Sequence, residues 1–250
     1  MYTAHNYQFL AFSAAMQGRK AETVDAARKS RAVASDDVLL EMPGLDWAVG
    51  ELYTGMVRFG LWDEILVEPA PNPKLRGLSA AYLVSRTMAL AARGRVSDAA
   101  AELAGLQKLL ETTEADDAAG LNVAKDVFNL AVLVAEARIA DTQGAETEAI
   151  SILKDAAAAE DRLAYDEPAD WFIPVRQILG ATLLKAGQGQ EAEAVFLADL
   201  HRYPANGWSL FGLAQSLRAQ GRSDEANLVD DRFTKAWKAS DTTITASVFY

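Results

Sequence analysis

One setting for glycine recurs along this chain, and it restricts the fold more than any other feature. A segment with helix-period apolar residues runs into a Gly, an acid follows four residues later, and a small residue usually follows at five. Gly18 is followed by Glu22 and Thr23, Gly60 by Glu64 and Ile65, Gly94 by Asp98 and Ala99. Gly144 is followed by Glu148 and Ala149, Gly187 by Glu191 and Ala192, Gly221 by Glu225 and Ala226. Glycine supplies the backbone freedom of a tight turn at a helix end. The acid suits the positive end of the next helix dipole, and the small residue lets that helix approach the first closely. Each unit is therefore a helix–turn–helix hairpin, and the repeat predicts an all-α chain of about twelve helices. Prolines 43, 69, 71, 73, 168, 174 and 204 fall at the proposed joints. No strand signal stands out. Residues 242–250 (TTITASVFY) have strand-like composition but no partner, and read as a loop or capping extension.

The chain reads as one domain over 1–250: hairpins over 1–67, a proline-rich connector at 68–75, hairpins over 76–239, and a tail at 240–250. With 24 basic and 35 acidic side chains the net charge is −11. That argues against nucleic acid, which needs a basic footprint, and against an anionic membrane surface. There is no cysteine, so disulfides and thiolate sites are excluded. Two histidines, His5 and His201, are too few for a multi-histidine metal centre, and nothing predicts a cofactor. The longest weakly polar stretch, Phe128 to Ala135, is far shorter than the roughly 18 residues of a membrane span. No signal-peptide pattern opens the sequence, so a cytoplasmic location is expected.

The glycine spacings are 42, 34, 50, 43 and 34 residues. Two of them equal the tetratricopeptide period of about 34. Residues 172–204 resemble that repeat: Leu179 and Gly180 precede the turn, Gly187 makes it, Ala192 and Phe196 follow, and Pro204 closes the unit. Leu213, Gly221 and Ala226 repeat the offsets, as do Tyr7, Leu10 and Gly18 at the start. The units around Gly60, Gly94 and Gly144 keep the turn and lose much of the signature. More narrowly, HNYQFLAFSAAMQGR, RFGLWDEIL with EPAP, and YDEPADWFIPVRQILGATLLKAG with EAEAVFLADLHRYPANGWSLFGLAQSL resemble a group of bacterial tetratricopeptide repeat proteins. Longer members, as the resemblance implies, carry further repeats and a His-rich segment before the His-Asn element, so this sequence is expected to match their C-terminal portion or to be a naturally short form.

The resemblance implies a right-handed superhelical solenoid whose concave wall is lined by the first helix of each pair. Carried over from the family, the wall positions lie 13, 10, 6, 3 and 2 residues before each glycine. They include His5, Gln8, Trp47, Arg58, Arg138, Asp141, Gln177, Lys185, Trp208, Phe211, Gln215 and Arg218, together with Gly50, Thr54, Ala81, Val84, Met88 and Val134. Four cations, Arg58, Arg138, Lys185 and Arg218, stand against one acid, Asp141, beside aromatic groups. Arginine forks onto carboxylates and aromatics give rigid contact area. The expected function is thus a non-catalytic scaffold binding a protein or peptide with acidic groups in its groove.

No nucleophile elbow, phosphate loop, zinc-protease helix or dinucleotide fingerprint is present, so no catalytic residue is assigned. The alternative is a small-molecule-binding or enzymatic subunit using the groove and segment 165–176, whose YDEPADW run is richer than a plain repeat needs. Glu167 and Asp170 there form a possible carboxylate pair. Read structurally, Pro168 starts a helix with Asp170 in its first turn, and Arg176 pairs with Glu167 or with an acid on a neighbouring helix. Self-association through terminal hairpins or the aromatic tail is a third possibility.

Overall fold

The computed structural model describes residues 2–249. All six repeat glycines lie in the left-handed region, with φ between +65° and +79°. At the first, Gly18 N–H donates to Ala15 O (3.1 Å) and Arg19 N–H to Ala14 O (2.9 Å). The same two bonds recur at every other repeat glycine. This pairing satisfies carbonyls that a helix end otherwise leaves bare. The residue five after each glycine is 0% exposed in all six hairpins, Ile65 included. The acid at four is used locally where the helix-leading residue is Arg: Arg19 pairs with Glu22, Arg95 with Asp98 and Arg222 with Glu225.

The hairpins are α1 (Tyr2–Met16) with α2 (Lys20–Val33), α5 (Glu51–Arg58) with α6 (Trp62–Val67), and α7 (Arg76–Ala92) with α8 (Val96–Glu111). They continue with α9 (Ala124–Thr142) and α10 (Glu146–Glu160), α11 (Val175–Lys185) and α12 (Gly189–Arg202), then α13 (Gly207–Ala219) and α14 (Ser223–Ala236). Successive hairpins pack on one another, with α5 on α7, α7 on α9, α10 on α11 and α12 on α13. No described helix is long and apolar enough to cross a membrane.

The long spacings are insertions. Short helices α3 (Asp36–Glu41) and α4 (Leu45–Ala48) fill the first. From α4, the buried Asp46 accepts Leu78 N–H (3.1 Å) and so caps α7 from outside. In the second insertion, β1 (Ala118–Ala119) and β2 (Asn122–Val123) pair antiparallel, Ala118 opposite Val123. This corrects the expectation of no strands. Two-residue strands carry no alternation for a pattern to reveal, and Gly120 (φ +61°) closes the turn. The third insertion, residues 161–174, is irregular, so Asp170 does not open a helix as expected. Trp171, Phe172 and Ile173 of this irregular segment are all buried. Helix α11 starts only at Val175, whose N–H donates to buried Glu160 (2.9 Å). Arg176 pairs with Asp161 through two bonds of 2.7 and 2.6 Å rather than with Glu167.

The chain also returns to its start. Trp208 Nε1 donates to Ala15 O (2.9 Å), and Phe59 and Trp237 pack on its ring. Trp237 is wedged between the first turn and the start of α13: a Cβ added at Gly18 would fall 2.3 Å, and at Gly207 2.1 Å, from its ring. Asp241 accepts Lys20 N–H (2.6 Å) and Ala21 N–H (2.9 Å), capping α2 from the far end of the sequence. The tail is irregular and crosses the inner side, with Gln215 donating to Thr245 O (3.0 Å) and Ser247 to Gln177 O (2.8 Å).

Two outcomes follow for stability. Trp237→Ala empties the wedge and should lower the unfolding free energy in urea by about 2–3 kcal/mol, while Lys238→Ala beside it should leave the midpoint nearly unchanged. Burial, with Asp199 nearby, pushes Glu160 up to about 7 from 4.5, against the opposing Val175 bond. Between those values the folded protein holds a proton that the unfolded chain has released, so stability falls as pH rises through that window. Urea midpoints at pH 4.5 and 7.5 should show Glu160→Gln removing a loss on the order of 3 kcal/mol at most.

Candidate functional site

A partly open cavity of about 240 Å³ lies where the first hairpin meets later helices and loops. Its wall takes His5 and Gln8 from α1, Trp47 from α4, Glu51, Thr54 and Val57 from α5, and Ala81, Val84, Ser85 and Met88 from α7. Val134 of α9, Ile178 of α11, the β turn at Gly120–Leu121 and loop residues 166–173 complete it. Most of this lining is apolar. Trp47 and Trp171 stack with centroids 6.1 Å apart and planes at 16°, and Trp47 Nε1 donates to Asp170 O (2.7 Å).

Asp170 ties the two insertions together over the cavity. Its carboxylate accepts Asn122 Nδ2 (2.7 Å) and Leu121 N–H (3.2 Å), and Asn122 Oδ1 accepts Ala164 N–H (2.7 Å). Burial pushes Asp170 up to about 6, against the pull of those donors. The approach needs a bare backbone, since a Cβ at Gly120 would fall 1.8 Å from Asp170 Oδ1. The proposed pair of Glu167 and Asp170 is divided in use: Glu167 accepts from Tyr165 Oη, Asp170 from the β turn.

Three polar atoms of wall residues are buried without a hydrogen-bond partner among the described residues: Glu51 Oε2, Ser85 Oγ and Trp171 Nε1. Glu51 is 8% exposed. Burial, with no hydrogen bond opposing it, holds its carboxyl well above the usual carboxylate range. Among the described residues the titratable members of the wall are Glu51, Asp166, Glu167, Asp170 and His5, with no Lys or Arg. His5 Nδ1 lies 3.2 Å from Gln8 Oε1.

The structure divides the other expected wall residues. Arg58, Arg138 and Asp141 line a second, smaller space of about 30 Å³ with Val248 and Phe249 of the tail. Arg58 is buried, stacks at 3.8 Å on Trp208, and has its pKa lowered by that burial. Arg138 lies 3.8 Å from Asp141, which also takes Lys185 Nζ at 2.7 Å. Gln177 is wholly buried and donates to Asp199 (3.0 Å) and Asn206 (3.2 Å). Trp208 is a core residue. Phe211 packs on Phe233, Gln215 holds the tail, and Arg218 pairs with Asp230. Trp171 belongs to the 165–176 segment singled out in the sequence, whereas Glu51 and Ser85 were not among the expected site residues, because a Glu within an amphipathic helix reads as solvated and Ser85 carries no pattern of its own. Among the described residues no three His, Asp or Glu side chains converge to hold a metal.

Trp208→Ala should cost about 3–5 kcal/mol of stability, the range for a fully buried aromatic. Arg218→Ala, at an exposed pair, should leave the melting temperature nearly unchanged. Thermal melts of the two variants side by side check this contrast.

Comparison of the sequence with protein-family models finds no matching family, and comparison with curated proteins finds no matching relative.

Proposed function

We propose that this chain is a binding protein built from tetratricopeptide-type hairpins, arranged as a right-handed solenoid closed on itself, and that its ligand is a small molecule held in the central cavity. One observation carries this reading. Three buried polar atoms without partners, on Glu51, Ser85 and Trp171, belong to the wall of a single apolar cavity. Leaving such a group unsatisfied costs about 1–3 kcal/mol. Native cores seldom leave them so, and a concave apolar site with a few polar groups is the usual form of a ligand pocket. The segment 165–176 contributes Asp166 to Ile173 to that wall, as the small-molecule alternative requires.

A peptide-binding scaffold is the second reading, favoured by the tail itself. An extended segment runs past Gln215 and Gln177, and its Val248 and Phe249 sit beside Arg58, Arg138 and Asp141. A partner peptide would take the same path by displacing it.

Thermal melts across a chemically varied small-molecule set test the first reading. Compounds that raise the melting temperature should exist for the parent protein and lose their effect in Thr54→Phe, which fills the cavity from a half-buried wall position. If no compound acts on the parent, or Thr54→Phe responds equally, the cavity reading falls and the peptide reading takes its place.

A further inference from the structure

We propose that the cavity selects an organic ammonium: a cationic head paired with Glu51, carried on an apolar body that packs against Trp47 and Trp171. This rests on the small-molecule reading above and specifies its ligand class. Four acids and one histidine are the titratable wall residues, and no Lys or Arg is among them. An anionic ligand would find no Lys or Arg to pair with there. Glu51 is more than nine-tenths buried, and its Oε2 has no donor among the described residues. A carboxyl in that position lacks a counter-charge, and breaking even with water requires a partner that supplies both charge and N–H donors. An ammonium does both.

The rest of the wall fits the rest of such a molecule. Trp47 and Trp171 offer indole surface within the same cavity, and indole faces attract cations. Val57, Val84, Met88 and Ile178 supply the apolar contact. The N–H of Trp171, buried and unpaired, calls for a neutral acceptor on the ligand, such as a hydroxyl. Ser85 Oγ, also unpaired, can donate or accept a hydrogen bond.

Isothermal titration of the full chain at pH 8 with three probes of one shape tests the selectivity: tyramine, its neutral isostere 4-propylphenol, and the anion 3-(4-hydroxyphenyl)propanoate. Tyramine should bind at least about tenfold tighter than 4-propylphenol, with the anion weakest. In Glu51→Gln, tyramine should fall to the level of 4-propylphenol, whose own affinity stays within about twofold and so reports an intact cavity. If 4-propylphenol binds as tightly as tyramine in the parent, the ammonium assignment is wrong while the cavity reading stands. A tyramine preference that survives in Glu51→Gln removes Glu51 as the counter-charge and overturns the proposal. If none of the three probes binds the parent, the ammonium assignment falls, and the broader compound set alone decides whether the cavity reading falls with it.

Discussion

The indole of Trp208 donates to the carbonyl of Ala15, 193 residues earlier in the chain, while Arg58, Phe59, Trp237 and Phe249 gather around its ring. Stacked helical hairpins draw their stability from neighbours. A row of them leaves two hairpins each with one uncovered side. Here the first hairpin meets the last at a few points, with Trp237 lodged between Gly18 and Gly207. Asp241 adds an electrostatic tie by capping α2. The cavity exists because of this closure: His5 and Gln8 of α1 share a wall with Ile178 of α11 only when the chain has come round.

Closure also decides the electrostatics. The cations on the inner helices are consumed by structure: Arg138 and Lys185 sit at Asp141, Arg218 at Asp230, and Arg58 lies buried against Trp208. What remains to face the cavity is Glu51 with the acids of the 161–174 loop. A chain whose wall offsets read as basic in sequence thus presents four acids and one histidine to the cavity, because its cations lie elsewhere.

Much of the fold was legible because its signals are local. Each Gly with its acid at four and small residue at five describes a turn that closes within about six residues, and all six adopt it. Of the residues at the wall offsets, His5, Gln8, Trp47, Thr54, Val84 and Val134 line the cavity. In the last two units Gln177 and Trp208 are buried in the core. Those two units are the ones that receive the first hairpin and the tail, and pairings across such separations leave no periodic trace. The caps supplied from a distance, Asp46 to α7 and Glu160 to α11, are equally silent in sequence. The unpaired atoms of Glu51, Ser85 and Trp171 become visible only when their surroundings are known.

Fastening the first hairpin to the last changes how opening motions spread. In an open row the end units fray, and amide protection tapers toward both ends because each outer unit opens at little expense to the rest. With Gly18, Ala15 and the start of α2 held by Trp237, Trp208 and Asp241, neither terminal hairpin can open without uncovering the other. The two insertions that Asp170 clasps together lie between these fastened ends in the sequence and form part of the cavity wall, so the same tie that closes the array also sets the boundary of the space at its side.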